Sequence, residues 1–591
     1  VKTEHAARLI RLGQESLPFV TVLVCLALTF SMSDSPQMQN RIHYLHNDPF
    51  TIDLSERMLA SSKTIMFILL TGSLPIFLIL KKRFAGHHQF NWERNYSIVT
   101  AIAGASLLLR LWQCPLALDD AYVDYRYVMH WLDGQFDYNP GQHIMGFTSH
   151  LHLIVLWLIC TLCRTHQVDM ASYFLNCGLD TINTIFLFFF VSKVYKRKLP
   201  GVVAATIFAF SMYASGEVIS GKETPLVTLV ILVAMWAVQT ARLSVLPWTA
   251  FALLLLRPEG IFSFAVVSLR ALRPAGKMAL KSFILPASLT AAYYIFLVWY
   301  FGSPLPHGML AKHKVFPPGD FWPIVFDYVR VSGCMATNSV ITACFFPFMG
   351  WWSTFFANVL AFIYLFTRVK QPAWTLYRDI AFIQLLFLAL AQPLPFSWYL
   401  CWFNLLGPVV FARLTAVAWP RIRGGKLPLI LPMRAALCLV MFAYVCAGLY
   451  FIPYDWIPYL ERGKLYREAA FYLMERTGGK EEIAASDVGL IGFYYKGPIL
   501  DLMGLVSDEP LKFYPISYSH SRQYLIPPEA LKVLKPKYLV APVNHCKGML
   551  LDDPDFQADY VELKRWTNPQ IMDKAVCIWI RKDSLVQPGE K

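Results

Sequence analysis

The chain has 591 residues, 56% of them hydrophobic and 16% charged, with a mean hydropathy of +0.44 and a formal net charge of +14. A soluble domain is nearer a quarter charged, so this balance excludes an ordinary globular protein and points to a polytopic membrane protein. The excess of Lys and Arg does not mark nucleic-acid binding, because those residues cluster at the ends of apolar runs, as the positive-inside rule expects.

The chain opens on Val1, not Met, as a segment of a longer gene product would. Apolar runs then predict spans near 17–32, 65–81, 97–112, 171–192, 199–214, 224–240, 246–256, 261–272, 282–300, 340–366, 379–393, 399–416 and 428–451. That is about thirteen spans, most of them near the length a bilayer requires. Lys81-Lys82-Arg83, Lys193 with Lys198, Arg270 with Arg273, Arg368 with Lys370, and Arg421 with Arg423 then share one side, the cytoplasm. The N-terminus is inside, and the odd count puts the C-terminus outside. The run 150–163 is too short to cross and is expected to lie in the outer interface. The short pair 246–256 and 261–272 fits two spans or a re-entrant hairpin equally well, with the same parity.

Between the third and fourth spans stands Asp119-Asp120-Ala121-Tyr122, then Arg126-Tyr127, Asn139-Pro140-Gly141 and Gly146-Phe147-Thr148. Adjacent carboxylates are costly at a bilayer edge and signal function. Capping of a helix start accounts for one of them. With Asp119 as the cap, Ala121, Tyr125, Val128, Met129 and Leu132 form one apolar stripe, Asp120, Asp124 and Tyr127 share another face, and Gly134 ends the helix. Other outer loops carry Gly216-Glu217, Gly221-Lys222-Glu223-Thr224, Arg257-Pro258-Glu259-Gly260, Leu305-Pro306-His307 with Lys312 and His313, and Phe396-Ser397-Trp398-Tyr399. Carboxylates, bases and aromatics on five outer loops predict one site at the outer membrane face.

From about residue 454 the composition becomes that of a soluble α/β domain. A helix over 464–476 ends at Gly478-Gly479, strands fall near 482–485, 498–502, 538–542 and 575–580, and a helix covers 528–534. No Gly-rich phosphate loop opens a helix there. Cys546 and Cys577 alone fall in this exported part, where a disulfide between them is expected as readily as not. Cys160 and Cys163 lie on one apolar run and read as packing.

The motifs resemble the signature of C-type (GT-C) glycosyltransferases, most closely the family of the mycobacterial terminal β-(1→2)-arabinofuranosyltransferase and its bacterial relatives. That pattern runs D-D-A-Y, R-Y, a glycine, N-P-G, then E-G-Y-T, and stands here at Asp119 to Tyr122, Arg126-Tyr127, Gly134, Asn139 to Gly141 and Gly146 to Thr148. Ser220 to Thr224, Arg257 to Gly260, Leu305 to Lys312, and Asp487-Val488-Gly489 with Asp501 to Leu505 also look like the family's spaced motifs. Met145, Lys222 and His307 depart from it, in place of Glu, an apolar residue and Asn, and leave the sugar open.

The resemblance implies an N-terminal transmembrane extension over 1–96, a GT-C catalytic core over 97–452 with a periplasmic loop over 113–170, and a periplasmic α/β domain over 453–591. It implies transfer of arabinofuranose or another sugar from a polyprenyl-phosphate donor to an envelope glycan or lipid, on the outer face of a bacterial plasma membrane. The expected catalytic groups are Asp119 as base and Asp120 as its partner. Arg126, Arg257, His307 and Lys312 are expected at the donor phosphate. Tyr122, Tyr127, Asn139, Glu223, Glu259, Trp398 and Tyr399 are expected to bind substrate. Asp119 and Asp120 together also suit a divalent cation (Mg, Mn or Ca), although adjacent carboxylates are also common without one. The rival class is a secondary transporter or lipid flippase, disfavoured because such proteins show repeated halves and midplane charges.

Overall fold

A computed structural model describes residues 92–113, 118–317, 371–391, 396–423, 457–516, 524–568 and 575–585. The predicted spans near 17–32, 65–81, 340–366 and 428–451 lie outside the described residues. Within them, the apolar runs become helices α1 (Trp92–Trp112), α4 (Val168–Tyr195), α5 (Lys198–Ala209), α6 (Met212–Ile219), α7 (Thr224–Gln239), α8 (Leu246–Leu256), α9 (Gly260–Phe301), α11 (Pro372–Ala391) and α12 (Leu406–Arg423). Between α1 and α4 stand α2 (Asp119–Leu132) and α3 (His150–Cys163), and α10 (His307–Val315) follows α9.

The protein is a polytopic helical membrane protein. Among the described residues, four segments are long and apolar enough to cross a bilayer: α4, Lys281–Phe301 of α9, α11 and Trp398–Ala418. The bent pair α5 and α6, angled by 51°, makes a fifth where one span had been expected over 199–214. α4 is wrapped by its neighbours, with 78% of its apolar window buried, whereas the same measure for Lys281–Phe301 is 17%. Ile284, Leu289, Ile295 and Trp299 therefore present an apolar surface that hydrocarbon, not water, would stabilise. One expectation is corrected here: the chain does not turn near Arg273. The predicted spans 261–272 and 282–300 are one 42-residue helix, α9. Ala, Leu, Arg, Lys and Met dominate the intervening stretch, and strong helix formers carry the backbone past its Pro and Gly.

The C-terminal part begins with α13 (Ile457–Thr477) and forms a five-stranded sheet of order β2-β1-β3-β5-β4. The strands are β1 (Ile483–Ala485), β2 (Ile499–Asp501), β3 (Tyr538–Pro542), β4 (Tyr560–Thr567) and β5 (Ala575–Arg581). β1 lies parallel to both β2 and β3, and β5 runs antiparallel to β3 and β4. α14 (Gly489–Tyr495) joins β1 to β2; α15 (Pro528–Leu534) precedes β3, and α16 (Val543–Cys546) and α17 (Pro554–Asp559) follow it. Four strands were legible as short apolar runs because they are buried on both faces. β4 was not, since it is an edge strand whose side chains are mostly exposed and polar.

Alternation along the strands sorts the sheet into two cores. Ile483, Tyr538, Val540 and Ile578 pack with Ala121, Tyr122 and Val128 of α2, while Ala484, Leu539 and Trp579 pack with Ala311 and Val315 of α10. α2 thus shares the core on one face of the sheet, and α10 the core on the other. Cys546 and Cys577 are free thiols, which corrects the expected disulfide. Both are fully buried in the second core, where they pack as small apolar groups.

Candidate active site

α2 turns two different faces to two different tasks, because successive helical residues are about 100° apart. Asp119, Tyr122 and Arg126, at i, i+3 and i+7, face the C-terminal domain. Asp119 is not the cap of its own helix, a position held by Leu118. Its carboxylate instead accepts from the backbone N–H groups of Gly489 (2.9 Å) and Leu490 (2.8 Å), the first turn of α14. That helix has no side-chain cap of its own, so a carboxylate from another part of the chain satisfies its orphan donors. Burial and the neighbouring Asp487 push the Asp119 carboxyl up, to about 8, against the pull of the two N–H groups.

Arg126 is fully buried and donates to the carbonyls of Tyr138 (3.0 Å), Gly492 (2.6 Å) and Gly497 (2.8 Å). Asn139 pairs with edge strand β2 as another strand would, donating to the Ile499 carbonyl (2.7 Å) and accepting from its N–H (3.0 Å). Tyr138 reaches the Val488 carbonyl (2.6 Å), and Tyr122 packs edge-on to Phe493. Tyr127 bridges the Ile144 carbonyl and the Gly146 N–H. The structure places the side chains of Asp119, Arg126, Tyr122, Tyr127 and Asn139 against the C-terminal domain and the 138–147 turn, and none of them lines the cavity described next.

A Cβ on Gly492 would stand 1.9 Å from the Tyr138 hydroxyl and 2.8 Å from Arg126 Nη1. Gly492→Ala is expected to cost about 1–3 kcal/mol by overpacking this clamp, read as a lower melting temperature. An unchanged melting temperature would show that the clamp yields without strain.

The second face carries Asp120 and Asp124, at i and i+4, into a cavity. Its wall also includes Thr148, Lys222, Arg257, Glu259, Lys312, Trp398 and Tyr399, with Gly146, Gly308, Met309 and Leu505 closing it. Lys312 Nζ lies 3.0 Å from Asp120 Oδ2 and within 6 Å of three rings: Phe396 (4.8 Å), Trp398 (5.5 Å) and Tyr399 (5.8 Å). Although burial works against its charge, Asp120 holds the Lys312 ammonium above its ordinary range.

A deeper row of charges backs this pair. Lys222 Nζ sits 2.8 Å from Asp124 and 3.9 Å from Glu223; Glu223 and Glu259 both hold Arg257, whose guanidinium lies 5.0 Å over the Tyr399 ring. Burial pushes the Asp124 carboxyl up to about 6, with Lys222 opposing. The two groups differ in access: Lys312 and Asp120 are 23% and 26% exposed, while Lys222 and Asp124 are 5% each. Breaking a buried pair costs about 3–5 kcal/mol, so the deep row is a fixed framework and the Asp120–Lys312 pair is the part that can open.

Of the expected site residues, the structure brings together Asp120, Arg257, Lys312, Glu223, Glu259, Trp398 and Tyr399. His307 stands apart, 3.2 Å from Asp508. Asp119 and Asp120 diverge, so they do not converge on one cation, and no group of His, Cys, Asp or Glu is arranged to hold a metal among the described residues. Asp124, Lys222 and Thr148 were missed as site residues. The signal for Asp124 was its spacing from Asp120.

Comparison with known proteins gives three findings. Residues 458–581 match a domain of unknown function (DUF8728). No curated protein is similar to the chain. Among solved structures, arabinofuranosyltransferase AftD from Mycobacteria is 13% identical at a TM-score of 0.42, covering 82% of this chain and 40% of its own. ArnT from Cupriavidus metallidurans, bound to undecaprenyl phosphate, is 12% identical at a TM-score of 0.45 over 84% of this chain and 98% of its own. The apo state of ArnT gives 12% and 0.46, over 81% and 97%. The chain thus spans well under half the length of AftD.

Proposed function

We propose that the protein is a membrane glycosyltransferase that moves a sugar from a polyprenyl-phosphate donor to an envelope glycan or lipid on the outer face of a bacterial plasma membrane. The observation that carries this reading is the Asp120–Lys312 pair, a carboxylate and an ammonium each about a quarter exposed and 3.0 Å apart, in a cavity walled by Arg257, Trp398 and Tyr399. A prenyl tail would lie in the bilayer beside the apolar helices and bring its phosphate to the cavity rim. Lys312, a point charge on a flexible stem, would meet that phosphate, with the Arg257 side of the wall behind it.

The donor then does two things at once. Its phosphate draws Lys312 away from Asp120, and the Asp120 carboxylate is released from its ion pair. The freed carboxylate accepts the proton of the acceptor hydroxyl as that oxygen bonds to the anomeric carbon. The bond from that carbon to the phosphate oxygen breaks, and polyprenyl phosphate leaves with the electron pair, its charge offset by Lys312. Attack opposite the leaving group inverts the anomeric centre, through a transition state of oxocarbenium character as in glycosidases. No step here needs Asp119.

Lys312→Met is expected to weaken binding of polyprenyl phosphate about 10- to 100-fold, the worth of one hydrogen bond to a charged group. Titration of the lipid into the purified protein in nanodiscs reads this directly. Equal affinity in both proteins would remove Lys312 from the donor site. Translocation of the labelled lipid across a vesicle with its sugar still attached would favour a flippase.

A further inference from the structure

Around the C-terminal end of α9 the chain exposes more apolar surface than water would favour. Trp299 is 78% exposed, and Phe136, which packs edge-on to Phe296 and Tyr300, is exposed beside it. Five residues separate Phe301 from His307, a reach of about 20 Å at most. The apolar character continues across them: Leu305 is 54% exposed, and Met309 and Leu310 of α10 are 38% and 52% exposed. In the described C-terminal domain, by contrast, the exposed large apolar side chains are Phe471, Val533, Val561 and Leu585, scattered singly as on a water-facing surface.

α10 itself has two distinct sides. Gly308, Ala311 and Val315 turn inward, the last two into the core shared with the sheet. The His307 N–H donates to the Met145 carbonyl (2.8 Å), and a Cβ on Gly308 would stand 3.0 Å from the Gly146 carbonyl oxygen, so the helix is firmly seated. Its outward side carries Met309 with His313 and Leu310 with Lys314, each pair at i and i+4. That side is apolar in the first turn and basic in the last. Met309 also shares the cavity wall with Lys312. An apolar strip continuous with a bilayer-facing helix, followed by exposed bases, matches the two layers of a lipid leaflet, hydrocarbon and then phosphate.

We propose that α10 is an interfacial helix whose partner is the bilayer itself: Leu305, Met309 and Leu310 enter the hydrocarbon of the outer leaflet, and His313 and Lys314 lie against lipid phosphates. One consequence rests on the glycosyltransferase reading. The lip at Met309 holds the cavity mouth level with the leaflet, so a bound prenyl phosphate keeps its head on Lys312 and its tail in hydrocarbon. Contact of Leu305 and Leu310 with the leaflet therefore sets donor affinity and takes no part in bond making. Neither residue lines the cavity.

The test uses the full chain in nanodiscs of phosphatidylethanolamine and phosphatidylglycerol. A photoreactive benzophenone amino acid is placed in turn at Leu310, at Ile295 on the exposed side of α9, and at Val561 on edge strand β4; the mass of each photoadduct is read. Leu310 is expected to capture phospholipid as Ile295 does, and Val561 none. A lipid yield at Leu310 no higher than at Val561 overturns the proposal. A double variant, Leu305→Ser with Leu310→Ser, is then titrated with undecaprenyl phosphate in the nanodisc and with geranyl phosphate, a short relative that reaches the cavity from water. These are polar changes at exposed positions, which leave the fold intact. The variant is expected to bind undecaprenyl phosphate about tenfold more weakly, the worth of roughly one apolar side chain withdrawn from hydrocarbon, and geranyl phosphate as wild type does. Unchanged binding of both overturns the lip, because leaflet contact then contributes nothing to affinity. Equal loss of both also overturns it, because the change then reached the cavity. Wild type that binds neither phosphate while Leu310 still captures phospholipid would defeat the donor assignment and leave α10 in the leaflet.

Discussion

Asp120→Asn is expected to lower sugar transfer by about 10²–10⁴-fold, the usual contribution of a positioned general base, with the fold and donor binding retained. Asn keeps the size of the side chain and one acceptor oxygen but cannot take the acceptor's proton. The comparison that gives this force is Asp119→Asn. That carboxylate is spent on the N–H groups of Gly489 and Leu490, and its amide still offers one oxygen there. Asp119→Asn should therefore lower the melting temperature while keeping most of the turnover. Transfer of a radiolabelled sugar from polyprenyl phosphate, measured beside a melting curve, separates the two. The reverse pattern, with Asp119→Asn inert and Asp120→Asn active, would return the base to Asp119 and require the clamp to open in catalysis.

Arg126→Ala is the second large effect, and it concerns assembly. Truncation leaves the carbonyls of Tyr138 and Gly497 buried without this donor, while the Gly492 carbonyl keeps only the Lys496 N–H. Each orphaned acceptor costs about 1–3 kcal/mol, and a total near 4 kcal/mol is a large part of any domain's net stability. The C-terminal domain is expected to undock, so that limited proteolysis releases a fragment beginning near Ile457. Arg126→Lys keeps the charge but cannot span three carbonyls with one ammonium, and should fall between the two. A variant as resistant to protease as wild type would show that Asp119, Tyr138 and Asn139 hold the domain without it.

The reach of the sequence is clearest along α2 itself. The segment announced itself as exceptional because charged and aromatic residues interrupt long apolar runs, and it does supply both the clamp on the C-terminal domain and part of the cavity wall. What a single sequence could not say is which of two adjacent carboxylates faces the cavity. A rotation of about 100° separates them, and the partners that settle it, Gly489 and Lys312, lie 370 and 192 positions along the chain from Asp119 and Asp120. The stripe Asp119, Tyr122, Arg126 has the same helical spacing as the pair Asp120, Asp124, so periodicity alone gives both faces equal standing. Arg126 and Asn139 were read as ligand groups for the same reason: a buried polar side chain that binds backbone looks, in sequence, like one that binds substrate. The strands were legible because burial on both faces writes them as apolar runs. α9 was not, because a charge-bearing stretch between two apolar runs reads as a loop whether or not the helix continues through it.

The two helices that supply the ion pair belong to the two different cores of one sheet, α2 to the first and α10 to the second. The backbones that carry Asp120 and Lys312 are thus tied together through strands such as β3, where Val540 lies in one core and Leu539 in the other, both outside the cavity wall. Such cores are close-packed and yield little. A change of volume at one of these remote positions would therefore be felt at the cavity with every residue of its wall unchanged.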